Sequence, residues 1–264
     1  MKFCALASGS SGNCIYAEHE GTRILIDAGI SCKRIEDSLA SIGVNPAGID
    51  TILITHDHSD HIQGAAVFSR KYGTKIYATA GTLNVIVSSA RSRPDNSCLY
   101  AIEADSCYDI GTIGVETFKL SHDAADPVGF ALVAGGRRIG IATDLGCYDE
   151  SVLRHLRNAD ILYVEANHDV NMLMMGRYPY PLKIRVNSPM GHLSNEACAE
   201  LVREVRCDHT EVVMLAHISK ENNFEELAFE TVKQSMLTDT RFCRMPRLMV
   251  ANRDRPTEVI ELEN

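Results

Sequence analysis

The stretch Thr55-His56-Asp57-His58-Ser59-Asp60-His61 decides how this 264-residue sequence is interpreted. It contains the pattern H-x-H-x-D-H, so three of the ten histidines fall within six consecutive residues. The apolar run before it predicts a strand over residues 49–55, and functional sites are commonly built at strand ends. Burying so many ligand-type side chains unpaired is costly, and a solvated loop has no need of them. The stretch therefore predicts a metal site rather than a polar loop with structural histidines.

The spacing within this stretch predicts two neighbouring ions. In an extended segment His56 and His58 project to the same side and can bind one ion. Asp60 and His61 lie one bend further on and can reach a second ion close by. Imidazole nitrogen and carboxylate oxygen suit zinc, manganese or iron and do not suit calcium, so the identity of two divalent metal ions stays open.

Four ligands make only a partial site for two ions, so further ligands are expected at other strand ends. Apolar strands are predicted over residues 112–121, 137–143 and 211–216, and each is followed closely by one candidate ligand: His122, Asp144 and His217. A lone histidine is more often structural than a ligand. Three such candidates beside a strong cluster favour the ligand interpretation.

The periodicity predicts an α/β (α+β) protein in which helices cover mixed sheets. Further strands are expected over residues 3–7, 14–18, 22–27, 129–134 and 160–165, and one or two edge strands over residues 247–262. Helices are expected around Ile35 and Leu39, and over residues 62–72, 152–156, 196–205 and 224–237. No linker or repeat divides the sequence, so residues 1–264 are predicted to form a single domain.

Composition narrows the function classes. The formal net charge of −9 argues against binding nucleic acid through a broad basic face, although a local basic groove stays possible. No segment approaches the roughly 18 apolar residues of a membrane helix, so no membrane association is expected. The nine scattered cysteines contain no C-x-x-C pair, which predicts reduced thiols and a cytoplasmic protein. No obligate protein partner is predicted.

Beyond these patterns, the ordered series of Asp27, the histidine stretch, His122, Asp144 and His217 resembles the motifs of the metallo-β-lactamase superfamily. The resemblance extends from Ser8 to His217 and implies a four-layer αβ/βα sandwich with metals at one edge. It implies that one ion takes His56, His58 and His122, and that the other takes Asp60, His61 and His217. It further implies that Asp144 bridges both ions and that Asp27 orients the histidine loop.

Other motifs indicate a branch of this superfamily. The β-lactamases themselves have cysteine where this sequence has Asp144, which argues against antibiotic hydrolysis. The segments Tyr163-Val164-Glu165-Ala166-Asn167 and Gly191-His192-Leu193-Ser194-Asn195 resemble motifs of transfer-RNA 3′ processing enzymes, whose long RNA-binding arm is not recognisable. Together with Ser8-Gly9-Ser10-Ser11-Gly12-Asn13 and Ser219-Lys220-Glu221-Asn222-Asn223, they are most similar to the YycJ/WalJ-type group, which resembles DNA exonucleases acting from the 5′ end.

The resemblance predicts a dinuclear phosphodiesterase, a 5′-to-3′ DNA exonuclease in which a metal-bridging hydroxide attacks phosphorus. Asp60 is expected to orient that hydroxide, and His192 to act as general acid while Glu165 orients its imidazole. An alternative role for His192 is that of a histidine at a helix start. Possible substrate contacts come from Ser10, Ser11, Asn13, Ser194 and Asn222, although a plain turn and a helix cap are the alternatives.

A basic and aromatic stretch precedes His192. Arg177, Lys183 and Arg185, with Tyr178 and Tyr180 between them, suit single-stranded nucleic acid through charge and stacking. A solvated loop is the alternative for this stretch.

Three other functions remain open at this point. They are a cyclic-phosphate or RNA phosphodiesterase, a glyoxalase II-like thioesterase, and a metal-binding module without catalysis.

Overall fold

The strands form two seven-stranded sheets in the computed structural model, which describes residues 1–88 and 93–263. The first sheet has, in spatial order, Ile260–Glu261 (β14), Lys2–Ala7 (β1), Cys14–His19 (β2), Thr22–Ile26 (β3), Thr51–Leu53 (β4), Lys75–Thr79 (β5) and Leu99–Ile102 (β6). The second has Arg247–Val250 (β13), Val212–Ala216 (β12), Ile161–Glu165 (β11), Arg137–Ala142 (β10), Val128–Ala134 (β9), Ile113–Lys119 (β8) and Cys107–Ile110 (β7).

Helices connect many of these strands. They are Cys32–Ser41 (α1), Ser59–Ile62 (α2), Ala65–Tyr72 (α3), Ala80–Ser88 (α4), Glu150–Leu156 (α5), Val170–Met175 (α6), Tyr180–Val186 (α7), Asn195–Val205 (α8) and Glu225–Leu237 (α9). Within residues 1–88 and 93–263, none of them has both the length and the apolar character that crossing a bilayer requires.

Three apolar clusters join the elements into four layers. Ile26 of the first sheet and Phe130 of the second belong to the cluster between the sheets. Leu39 of α1 and Phe68 of α3 belong to the cluster that covers the outer face of the first sheet. Val202 of α8 is part of the cluster outside the second sheet. This is the αβ/βα sandwich expected from the sequence.

The central strand β11 shows how sequence periodicity produces these layers. Ile161 and Tyr163 belong to the cluster between the sheets, whereas Leu162 and Val164 belong to the cluster under the outer helices. Both faces of the strand are therefore covered, which is why it is apolar without interruption. Each such buried side chain contributes about 1.5–3 kcal/mol to folding.

Strand direction brings the candidate residues to one edge. Strands β10, β11 and β12 are parallel to one another. Strand β8 runs in the same direction, because β9 pairs antiparallel with both β8 and β10. The carboxyl ends of these four strands therefore meet at one edge of the second sheet. In the first sheet β3 and β4 are parallel, so the residues that follow them also lie together.

The structure corrects one expectation. The helix predicted over residues 62–72 begins only at Ala65, as α3, because Ile62 ends the separate helix α2 and Gly64 lies between the two. The amide of Gly64 donates to the carbonyl of Ala28 at 2.7 Å, and a Cβ there would lie 2.1 Å from the carbonyl oxygen of Ile30. The edge strands expected over residues 247–262 are confirmed as β13 and β14, which lie at the edges of different sheets. Sequence reasoning assigned no element to residues 75–110, which contain β5, α4, β6 and β7.

Candidate metal centre

The predicted ligand residues converge where the two sheets meet at the strand ends. Two sets bring one potential ligand atom per residue to within 4.8 Å of each other. We call His56, His58 and His122 the three-histidine group, and Asp60, His61 and His217 the aspartate group. Asp144 joins His56 and His61 in another such set, and joins Glu165, His192 and His217 in a further one.

Neutral partners hold the three-histidine group. His56 Nδ1 lies 3.0 Å from the hydroxyl of Thr55, and His122 Nδ1 lies 2.9 Å from the carbonyl oxygen of Gly191. His122 Nε2 lies 3.3 Å from His58 Nδ1. With the Nδ1 atoms of His56 and His122 engaged, their Nε2 atoms are left to face the centre.

Carboxylates hold the aspartate group. His61 Nδ1 donates to Asp27 Oδ2 at 2.7 Å, and Asp27 also accepts the amide of Thr55 at 2.9 Å. His217 Nδ1 lies 3.4 Å from Glu165 Oε2, and His217 Nε2 lies 3.5 Å from Asp60 Oδ2. Asp27 thus orients His61 without taking part in the group itself.

Asp144 lies between the two groups. Its Oδ2 is 3.2 Å from His61 Nε2, and its Oδ1 is 3.4 Å from His217 Nδ1 and 3.9 Å from His122 Nε2. Its carboxylate is almost fully buried. A single carboxylate is therefore in reach of both groups, which is the placement that a bridging ligand requires.

Unsatisfied polar atoms test whether these residues fit metal ions. Within the part of the chain that the structure describes, His56 Nε2, Asp144 Oδ2 and His217 Nε2 are buried without a hydrogen-bond partner. Leaving such atoms unpaired is costly in a protein interior. Their imidazole and carboxylate chemistry fits a divalent transition metal, and coordination satisfies all three atoms.

The electrostatics of the two groups differ. Burial, reinforced by His61, holds the pKa of His56 well below its ordinary value. Burial also opposes protonation of His217, but Asp144, Asp60 and Glu165 outweigh it and raise its pKa to about 10. For the same reason the pKa of His61 is well above its usual range, since Asp27 and Asp144 outweigh burial.

Glu165 and His192 form a hydrogen-bonded pair beside Asp144. His192 Nδ1 lies 3.1 Å from Glu165 Oε2, while Glu165 Oε1 accepts the amides of Leu145 at 2.7 Å and Leu193 at 3.1 Å. Burial disfavours the charged carboxylate, but His192 and His217 outweigh it and lower the pKa of Glu165 to about 2. Because Nδ1 of His192 contacts Glu165, Nε2 is the ring nitrogen that does not contact this carboxylate.

Unusual backbone geometry aims three of these side chains. Asp27, Asp144 and His217 each follow a strand and have positive φ values of 60°, 61° and 51°. Non-glycine residues adopt this left-handed conformation rarely and often at functional sites. The sharp turn after each strand directs the side chain across the edge of the sheet instead of along the strand.

Sequence reasoning missed two supporting residues. The hydroxyl of Ser8 accepts the amide of His217 at 2.9 Å and the hydroxyl of Tyr163 at 3.0 Å, which joins the two sheets at the centre. The side-chain amide of Asn167 donates to the carbonyl of His217 at 2.9 Å. Both residues lie in motifs already quoted from the sequence, but their partners are distant in sequence.

With this geometry established, comparison with known proteins gives the family. Residues 22–218 match the model of the beta-lactamase superfamily domain. The chain belongs to the beta-lactamase superfamily. It is 40% identical over 233 residues to Exodeoxyribonuclease WalJ of Streptococcus pneumoniae, covering 88% of this chain and 87% of that protein. It is 37% identical over 235 residues to Exodeoxyribonuclease YycJ of Bacillus anthracis, covering 89% and 88%.

A solved structure gives the fold of this superfamily member. The metallo-beta-lactamase fold protein YhfI from Bacillus subtilis aligns with a TM-score of 0.73 at 14% identity, covering 98% of this chain and 100% of that one. The chain therefore has the metallo-beta-lactamase fold, as the motif series implied.

The expected substrate contacts occupy different environments in this family member. Ser10 and Ser11 are exposed on the loop after β1. Asn13 is buried, and its Nδ2 lies 3.0 Å from His61 Nε2. The hydroxyl of Ser194 caps α8 by accepting the amide of Ala197 at 3.2 Å. Asn222 is almost fully buried, and in the described part of the chain both polar atoms of its side-chain amide are unpaired.

Proposed function

We propose that this chain is a dinuclear metal-dependent exodeoxyribonuclease that degrades DNA from the 5′ end. The observation that carries the proposal is the position of Asp144 between the three-histidine group and the aspartate group. Two groups of three donors with a shared carboxylate suit the paired ions of phosphodiester hydrolysis. The names of the relatives WalJ and YycJ support DNA as the polymer and its end as the point of attack.

His56, His58 and His122 would hold one divalent ion, Asp60, His61 and His217 would hold the second, and Asp144 would reach both. Zinc, manganese and iron all suit these donors. Ions bound there would polarise a phosphate oxygen and lower the pKa of nearby water.

The side chains around the ions have separate tasks in this mechanism. Asp60, which is half-buried, accepts a hydrogen bond from the attacking water and so orients it toward phosphorus. His192 donates a proton from Nε2 to the leaving oxygen, because Glu165 engages Nδ1. Asp27 accepts a hydrogen bond from the protonated Nδ1 of His61 and thereby directs Nε2 toward the centre.

The state of the cysteines and the packing of the two sheets support proposals on the cellular compartment and the domain organisation. The nine cysteines are free thiols, and we propose a reducing, cytoplasmic compartment. We also propose that residues 1–264 act as one domain without an obligate protein partner, because the two sheets share one apolar cluster and both supply residues to the centre.

The test is digestion of end-labelled DNA by the metal-reconstituted chain. Single- and double-stranded DNA and RNA are labelled at either end, and the products are mapped. We expect mononucleotide release from the 5′ end of DNA, and loss of cleavage in His58→Ala and Asp60→Ala. Bis-p-nitrophenyl phosphate and S-lactoylglutathione serve as small substrates. Cleavage that persists in both variants, or thioester hydrolysis without phosphodiester hydrolysis, contradicts the proposal.

A further inference from the structure

An exposed apolar surface lies directly before the catalytic histidine motif. We call residues 170–190, which contain α6 and α7, the α6–α7 arm. Tyr180 is 68% exposed, Met175 is 88% exposed, and Ile184 is 48% exposed. Large apolar side chains concentrated on one solvent-facing segment mark an interaction surface rather than a core.

The charge of this surface contrasts with that of the whole chain. The arm carries Arg177, Lys183 and Arg185 and contains no aspartate or glutamate, whereas the chain as a whole has a net charge of −9. Arg177 is exposed. Lys183 donates to the carbonyl of Met174 at 2.7 Å, which ties α7 to the end of α6. A local cationic and apolar surface on an acidic protein is complementary to a polymer with phosphates and exposed bases.

The arm is attached to the loop that carries His122. Arg185 forms an ion pair with Asp123, whose carboxylate lies 3.5 Å from His122 Nε2. The hydroxyl of Ser121 donates to the carbonyl of Pro189 at 2.8 Å. A groove of about 520 Å³ is lined by His122 and, from the arm, by Met190. The arm is therefore anchored next to the loop that carries His122.

We propose that the α6–α7 arm binds the unpaired strand of the DNA substrate next to the scissile phosphate. Tyr180 and Met175 contact the faces of successive bases, and Arg177 neutralises a backbone phosphate. Stacking of this kind needs bases that are not paired, so the enzyme prefers frayed or single-stranded ends to blunt duplex ends. This inference rests on the proposed nuclease function and adds the form of DNA that the site accepts.

The test measures binding separately from cleavage. Fluorescence anisotropy with a phosphorothioate single strand and a matched blunt duplex gives affinities at several salt concentrations. We expect tighter binding of the single strand, and about five- to tenfold weaker single-strand binding in Tyr180→Ala, with Tyr180→Phe close to the parent. Arg177→Ala is expected to reduce the slope of log affinity against log salt by about 0.7.

The matched controls are substitutions of an exposed apolar residue and of a cation on α9, outside the arm. Leu237→Ala removes a 55% exposed side chain at the end of α9, and Lys233→Ala removes a cation on the same helix. Neither is expected to change binding of the strand. Unchanged affinity in Tyr180→Ala together with an unchanged salt slope in Arg177→Ala overturns the inference, and so does equal affinity for single strand and duplex.

Hydrolysis of bis-p-nitrophenyl phosphate separates this inference from the proposed function. This small diester does not extend to the arm, so Tyr180→Ala and Arg177→Ala are expected to hydrolyse it at the parent rate. Loss of that activity in the arm variants argues that they perturb the centre, which contradicts the assigned role of the arm. Absence of DNA cleavage in the parent contradicts the nuclease function alone, because binding by the arm is measured without it.

Discussion

The three-histidine group and the aspartate group differ in what holds them. The imidazoles of His56 and His122 are anchored by a hydroxyl and a backbone carbonyl, whereas those of His61 and His217 contact the carboxylates of Asp27 and Glu165. Charged partners are stronger hydrogen-bond acceptors than neutral ones and raise the basicity of the ligand.

This difference teaches that the two proposed ions are not equivalent. The aspartate group contains a carboxylate of its own and is supported by two more, so it offers the stronger field for a cation. The three-histidine group is neutral apart from the shared Asp144, and His58 is only half-buried. We therefore infer that the ion at the three-histidine group is held less tightly and is the first to leave when a chelator is added.

The largest effect is expected from Asp144→Ala, because this change removes the carboxylate that both groups share. Neither group then keeps its full donor set, and the two proposed ions lose the negative charge that separates them. We expect phosphodiester hydrolysis to fall by roughly 10³-fold or more and metal content to drop below two ions per chain. Hydrolysis of bis-p-nitrophenyl phosphate and elemental analysis after dialysis measure both quantities.

Asp57 provides a matched control inside the same histidine stretch. Its Oδ1 accepts the amide of Ala125 at 2.8 Å, and it belongs to none of the metal-binding sets found among the described residues. Asp57→Asn keeps an acceptor and is expected to retain activity and metal content. Near-parent activity in Asp144→Ala, or an equal loss in Asp57→Asn, breaks the interpretation of Asp144 as the residue that couples the two groups.

Local patterns in the sequence predicted mixed sheets covered by helices and the candidate residues, whereas the four-layer arrangement was implied by the resemblance to the superfamily. An apolar run followed by a histidine or aspartate is visible without knowing where the strand lies, as with His122, Asp144 and His217. The roles of these residues stay proposals, although the structure brings their side chains together. The support of Ser8 for His217 was invisible, because the two residues are 209 positions apart. Aspartate tolerates left-handed backbone better than most residues, but its presence alone does not predict this conformation at Asp27 and Asp144.

The elements that were missed have weak patterns for physical reasons. Strands β6 and β7 mix exposed and buried residues at the edges of the two sheets, which obscures the alternation that a strand prediction needs. Helix α7 exposes most of its apolar residues, so its composition does not follow the pattern of a helix packed on a core.

An intermediate effect is expected from Asp27→Asn, which removes the charge behind His61 and preserves the shape of the side chain. The amide holds the imidazole less firmly and no longer supports its basicity, so the aspartate group weakens while the three-histidine group keeps its anchors. We expect metal affinity at the aspartate group to fall by about 10- to 100-fold. Titration with a chelator, followed by metal content per chain, then shows the two ions leaving at closer concentrations than in the parent.

Two reference variants assign the steps of that titration. His58→Ala leaves the aspartate group complete, and Asp60→Ala leaves the three-histidine group complete, so each retains one step. The step that survives in Asp60→Ala belongs to the three-histidine group, and the step that survives in His58→Ala belongs to the aspartate group. If Asp27→Asn shifts only the first of these steps, Asp27 supports the three-histidine group and the comparison is contradicted.

The smallest effect, and the sharpest test of the comparison, is expected from Thr55→Val. The hydroxyl of Thr55 lies 2.9 Å from Asp27 Oδ2 and 3.0 Å from His56 Nδ1. A hydroxyl has one proton to donate, which the carboxylate takes, so it accepts the Nδ1 proton of His56. Valine has the same shape without the hydroxyl. His56 then loses its partner. His61 loses a longer contact of 3.3 Å to the hydroxyl but keeps Asp27 at 2.7 Å, and Asp27 loses the hydroxyl but keeps the amide of Thr55.

One neutral hydrogen bond contributes about 1 kcal/mol, which corresponds to about a fivefold change in affinity. We therefore expect Thr55→Val to shift the titration step of the three-histidine group more than that of the aspartate group, and Thr55→Ser to shift neither step. A shift confined to the aspartate group reverses the comparison, because it requires the hydroxyl to act through Asp27 on His61 rather than directly on His56. The direction of this small shift thus decides which group depends on a neutral anchor.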